Sequence, residues 1–226
     1  MQTSILMLTH NASRYVWRSI WTVRRRTRGG RPELVVVDNA SRWPTRLVVR
    51  ACRLLGLVDV LHMNPTNALF AGGNNLAARL ASDRSDCYLL LNSDVEVRDP
   101  GWLEALEAPL ADPAVGAVAY GSCLNEPVRA DGYCFLVRRE LFDRFQMDED
   151  FQWWWSMTRL EARILEAGYD IVAYTSHERM LHHFGGRSGD DWQGARGMDV
   201  QMSEVLSWFE RAPGDGAGAM RIVDEV

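Results

Sequence analysis

The stretch Glu33-Leu34-Val35-Val36-Val37-Asp38-Asn39-Ala40-Ser41 decides the fold. Leu34 to Val37 are apolar without alternation, the pattern of a strand covered on both faces, and the chain turns polar directly afterwards. A strand of that kind belongs to a parallel sheet with helices on either side. Upstream, Ser4 to Leu8 reads as another strand, followed by a helix over 14–26 with Val16, Ile20 and Val23 on one face and a Gly29-Gly30-Arg31-Pro32 turn. Downstream, the periodicity predicts a helix over 45–55, a strand over 58–62, a helix over 74–81 and a strand over 87–91. This βαβ alternation gives four parallel strands by residue 91.

Further along, 102–110 and 160–167 read as helices, the second with Leu160, Ile164 and Leu165 inward, and 115–120 and 134–137 read as strands. The glycine-rich stretch 212–219 reads as a loose connector. Residues 1–211 are therefore expected to form one α/β domain, with 1–98 and 99–211 as its halves and 212–226 as a tail, mobile at its end.

Composition narrows the function. With 226 residues, 47% of them hydrophobic, the chain can bury one core. It has no apolar run long enough to span a bilayer and no basic leader, so a cytoplasmic protein without an integral membrane segment is expected. Cys52, Cys87, Cys123 and Cys134 lack Cys-x-x-Cys spacing and read as reduced thiols. A net charge of −5 argues against a protein devoted to gripping nucleic acid. All 25 of the lysine-or-arginine side chains are arginine, which excludes lysine Schiff-base chemistry and a P-loop lysine. The run Arg24-Arg25-Arg26 reads as a solvated helix end.

In an open α/β sheet, ligands bind beyond the carboxyl ends of the strands. Three strand ends here are polar: Thr9-His10-Asn11, Asp38-Asn39-Ala40-Ser41 and Asn92-Ser93-Asp94. Asp38 suits a ribose hydroxyl or a base N–H, or else caps a helix. Asp94 suits a hard divalent cation that takes its remaining ligands from water and substrate phosphate. Phe70-Ala71-Gly72-Gly73-Asn74-Asn75 is a glycine pair leading into a helix, where backbone N–H groups could face an anion.

These motifs, with Asn67 between them, occur in an order that resembles family 2 glycosyltransferases of the GT-A fold, particularly the rhamnosyltransferase-like branch. The resemblance runs from residue 3 to about 190, through Gly132 to Arg139, Asp148-Glu149, Ala167-Gly168-Tyr169 and His183-Phe184-Gly185-Gly186-Arg187-Ser188. It implies a single GT-A, Rossmann-like domain with a mixed, mostly parallel sheet flanked by helices. It also implies a nucleoside-diphosphate sugar donor, held through Thr9, Asn11, Asp38, Asn39, Gly72, Gly73, Asn75, Asn92 and Ser93. Asn92-Ser93-Asp94 would be the D-x-D-like element, with Asp94 and His183 on Mn²⁺ or Mg²⁺.

Inverting members of the family use a carboxylate to take the proton from the acceptor hydroxyl. The usual acidic pair corresponds to Ser156-Met157 here, and Arg159 stands where another acid is usual. Glu149 or Asp150 is then expected to be the base, with Asp131 next. Trp153, Trp154 and Trp155 offer rings for stacking on a sugar, or for packing or a dimer contact. The acceptor stays open among glycan, lipid-linked glycan, small molecule, protein and modified nucleic acid, as do a homo-oligomer and a peripheral membrane location. Two alternatives compete: a nucleotide-sugar-binding module that has lost its base, and a nucleotidyltransferase, which the lack of a glycine-rich loop after Leu8 disfavours.

Overall fold

The computed structural model describes residues 1–187, 194–210 and 216–226. In chain order the elements are β1 (Thr3–Thr9), α1 (Ser13–Arg26), β2 (Glu33–Asn39), α2 (Trp43–Leu54), β3 (Val60–Asn64), α3 (Leu69–Leu80), β4 (Cys87–Leu91), β5 (Val95–Val97), α4 (Trp102–Glu107), β6 (Val115–Tyr120), β7 (Ser122–Cys123), β8 (Arg129–Ala130), β9 (Cys134–Arg138), α5 (Arg139–Phe145), α6 (Trp153–Glu166), β10 (Asp170–Ser176), β11 (Leu181–His183), α7 (Met202–Ser207) and β12 (Met220–Glu225).

Eight strands form one sheet in the order β12-β10-β6-β9-β4-β1-β2-β3. The four strands of the first half are parallel, with β4 and β2 on either side of β1 and β3 beyond β2. Only β9 runs against its neighbours, β4 and β6. Alternate residues of the apolar strands feed opposite layers, since a strand's side chains point to opposite faces in turn. Ile5, Met7, Leu34 and Val36 join α1, α2 and α4 in one cluster. Leu6, Val35 and Val37 join α3, α5 and α6 in the other. Each apolar strand thus stabilises two layers, which is why its sequence shows no polar alternation.

Three expectations change. The third helix begins at Leu69 rather than Asn74, so Gly72 and Gly73 lie inside it and not in the turn before it. A Cβ on Gly73 would come within 2.4 Å of Leu8 Cδ1, so the missing side chain is what lets α3 lie close on β1. The helix expected over 160–167 begins already at Trp153, so the tryptophan triplet forms its first turn. Within the supposed tail, Met220 to Glu225 pairs in parallel with β10 and ends the sheet, because its backbone groups satisfy an edge that β10 would otherwise expose. Residues 212–215 of the expected connector lie outside the described residues.

Candidate active site

A cleft of about 310 Å³ opens beyond the carboxyl ends of β1, β2 and β4. Its first wall is Leu8, His10 and Asn39 with Asn67, Leu69 and Phe70. Asn39 is the hub of this wall: its amide donates to Asn67 Oδ1 at 2.6 Å and Leu69 O at 3.0 Å. Its carbonyl accepts from Asn64 Nδ2 and from the Ala68 N–H. The loop before α3 is thereby fastened to β2. His10 meets the backbone carbonyl oxygen of Asn39 through Nδ1 at 2.7 Å.

The floor is Asn92, Ser93 and Asp94 after β4. Two long-range pairings bring partners to it. The antiparallel ribbon of β5 and β11 sets His183 opposite Val95, and Asp94 O accepts from Phe184 N at 3.0 Å. His183 Nε2 then lies 3.3 Å from Asp94 Oδ1, although 89 positions separate them. Two neighbouring ligands of one octahedral cation, with bonds of about 2.1 Å, lie at a comparable separation. A carboxylate oxygen beside an imidazole nitrogen suits a divalent cation such as Mn²⁺. No group of three or more His, Cys, Asp or Glu forms a metal cluster among the described residues. A cation held here would complete its shell with water or substrate oxygens.

The second pairing is β4 against β9, where the Asn92 N–H donates to Tyr133 O at 2.8 Å and Asp131-Gly132-Tyr133 comes beside the floor. The Tyr133 ring stacks on His183 with centroids 4.2 Å apart. Asp131 looks onto the cleft, where solvent reaches it, with protein packed around its other sides. That surrounding protein raises its carboxyl above the usual value, against the pull of His183 and of the Gly132 and Tyr133 N–H groups. Trp153, Trp154 and Met157 from the first turns of α6 close the far side, and Gly186 and Arg187 close the rim.

The chain and its fold have counterparts among known proteins. The Glycosyl transferase family 2 model matches residues 4–184. The chain belongs to that family. The O-antigen biosynthesis protein RfbC of Myxococcus xanthus is 27% identical over 191 residues, covering 66% of this chain and 15% of that protein. In fold the chain resembles the mannosyltransferase PcManGT of Pyrobaculum calidifontis, solved with GDP-Man and Mn²⁺. The TM-score is 0.67 at 22% identity, over 77% of this chain and 55% of that one. It also resembles S. aureus TarS 1–349, with a TM-score of 0.65 at 15% identity over 92% of this chain and 70% of that one. The chain thus spans a small part of its curated relative and about half of the mannosyltransferase.

Several residues singled out in the sequence sit away from this cleft. Asp38 is buried and accepts from Thr9 Oγ1 and the Ser41 N–H, both at 3.2 Å. Asn11 binds Ser41 Oγ and the Arg42 N–H. Thr9, Asn11 and Asp38 therefore lock two strand-end loops together. Asn75 holds both backbone groups of Met147 and donates to Glu149 Oε1 at 3.0 Å, so Glu149 is spent on the contact between α3 and the segment before α6. Asp150 is exposed and pairs with Arg196. Trp155 turns away from the cleft and donates its indole N–H to Met198 O. Asp131 is the acid among the three base candidates that lines the cleft. Ser188 lies outside the described residues.

Sequence reading assigned no role to His10, Tyr133, Arg187 or Glu161. Glu161 is fully buried on α6, accepts the Ala130 N–H at 2.8 Å, and has no partner at Oε1 among the described residues. Burial pushes its carboxyl up to about 8. The one sequence signal for it was an acid at an otherwise inward position of α6, four residues after Met157.

Proposed function

We propose that this glycosyltransferase transfers a sugar from a nucleoside diphosphate to a hydroxyl acceptor with inversion at the anomeric carbon, using a divalent cation and Asp131 as base. The observation that carries this reading is the convergence of Asp94, His183 and Asp131 on one cleft. Asp94 and His183 would hold the cation, whose charge would stabilise the departing diphosphate. Arg187 at the rim adds a fixed positive charge on the same side. The mannosyltransferase neighbour with GDP-Man and Mn²⁺ supports a nucleotide-sugar donor and a metal for this chain as well.

Asp131 fills the gap left by Met157. A Cβ on Gly132 would come within 2.6 Å of Met157 Cγ, so Asp131 belongs to a segment packed against Met157, the position to which the family resemblance assigns the usual acid. On this reading the base stands on the loop before β9 rather than on α6, and lines the same cleft. With a pKa raised by its surroundings, it is a better proton acceptor than an exposed aspartate. Trp154, 43% exposed, and Trp153 line that side, where a pyranose would meet aromatic surface.

The test is a panel of nucleotide sugars scored by thermal shift with and without Mn²⁺, followed by transfer to hydroxyl acceptors and NMR assignment of the product anomer. A donor that binds only with metal and yields the opposite anomer supports the reading. Metal-dependent donor binding without transfer or hydrolysis, for any donor, leaves the binding-module alternative instead.

A further inference from the structure

Helices α1 and α2 pack side by side on one face of the sheet and send Val16, Ile20, Val23, Val49 and Cys52 into the core. Their outward faces are neither plainly polar nor covered. On α1, Arg14, Trp17, Trp21 and Arg25 follow helical spacing on the solvent side, and on α2, Trp43, Leu47, Arg50 and Leu54 do the same. Trp43 is 72%, Leu47 54% and Leu54 88% exposed. The rings of Trp17 and Trp21 stack at 5.7 Å, and the Arg25 guanidinium lies over Trp21 at 4.5 Å.

The charge on this face opposes that of the whole molecule. Residues 10–57 contain eleven arginines against two acids, Glu33 and Asp38, in a chain of net charge −5. Neither α1 nor α2 carries an acidic residue. Arg18 is matched by Glu96 and Arg24 by Asp59. Arg14, Arg25, Arg42 and Arg50 have no ion-pair partner among the described residues, which leaves their charge to act outward.

From this geometry we infer that the α1–α2 face seats the protein on an anionic phospholipid bilayer. Guanidinium groups at the phosphates, with tryptophan and leucine side chains at the headgroup and acyl boundary, satisfy both parts of the face at once. A nucleic acid would use the arginines and tryptophans but strand Leu47 and Leu54 in water. A second copy would set two positive faces against each other. The inference does not depend on sugar transfer, because the assay contains neither donor nor metal.

The purified chain is floated with vesicles of phosphatidylcholine, alone or with roughly a third phosphatidylglycerol. Binding to the anionic vesicles alone, lost in high salt, is expected. Arg14→Gln with Arg25→Gln and Arg50→Gln should lower the partition constant by roughly a hundredfold, from a factor of about five per arginine. Trp43→Ser with Leu47→Ser should weaken binding independently. All five positions are exposed, and circular dichroism verifies the fold of each variant. Failure to bind anionic vesicles overturns the inference, whether or not the chain binds nucleic acid or dimerises. So does binding that neither set of substitutions changes.

Discussion

The two walls of the cleft are assembled by different means. Residues 1–98 form it from successive parallel strands, so each loop faces the site because its strand ends there. Residues 99–187 form it by excursion: β9 reverses direction to deliver Asp131, β11 returns to pair with β5 and deliver His183, and α6 starts with rings in the cleft. A parallel array makes position follow from periodicity, whereas the second wall depends on pairings between residues many tens of positions apart. The first wall also spends Asp38 and Asn11 on joining its own loops, and Asn75 on holding Met147 and Glu149 of the second half. The second leaves Asp131 and Arg187 turned toward the cleft.

This contrast can be broken or sharpened by substitution. The largest effect is expected where the walls meet: Asp94→Ala should lower kcat by about a thousandfold or more and abolish metal-dependent donor binding, read by turnover and by calorimetry with Mn²⁺. Asp131→Asn should lower kcat on the order of a hundredfold or more and leave donor affinity intact, whereas Glu149→Gln and Asp150→Asn should keep turnover near wild type. Equal losses in all three would mean that the second wall does not supply the base through Asp131.

Glu161 separates support from chemistry. Its folded-state carboxyl titrates near 8 because of burial, against about 4.5 when unfolded, so the folded chain binds the extra proton between those values. Stability should therefore fall as pH rises through that window, by roughly a few kcal/mol in all. Glu161→Gln should flatten the decline, as followed by Tm between pH 5 and 8. An unchanged slope would remove this account of the buried acid.

On the first wall, Gly73→Ala should cost about 1–3 kcal/mol in urea unfolding because its Cβ meets Leu8, with donor affinity per folded molecule unchanged. A specific loss of donor binding would instead make the glycine pair part of the site. The smallest effect is expected from Trp154→Ala, about a tenfold rise in acceptor KM without change in donor affinity, which steady-state kinetics would detect.

Much of the first wall was legible because its signals are local. Unalternated apolar runs marked β1, β2 and β4, and the polar residues after them marked the strand ends, of which Asn39, Asn92, Ser93 and Asp94 line the cleft. What misled was the glycine pair: the same residue type permits a phosphate to approach a backbone or one backbone to approach another, and only packing tells which. The second wall was legible as motif but not as geometry. Met157 could be seen to lack a carboxylate, yet the position of the loop that brings Asp131 to the cleft is set by the β4–β9 register and by contact of Gly132 with Met157.

By itself, the sequence determined the α/β class, the parallel first half and its strand-end loops, and the arginine-rich, acid-free character of α1 and α2. Those properties follow from periodicity and charge along short stretches of chain. Tertiary structure alone decided that Asp131, rather than Glu149 or Asp150, reaches the cleft, that Glu161 is sealed behind it, and that residues 220–225 complete the sheet. The reason is that each depends on which distant groups satisfy a backbone edge, a buried oxygen or an exposed ring, and such partners are chosen only when the whole chain packs.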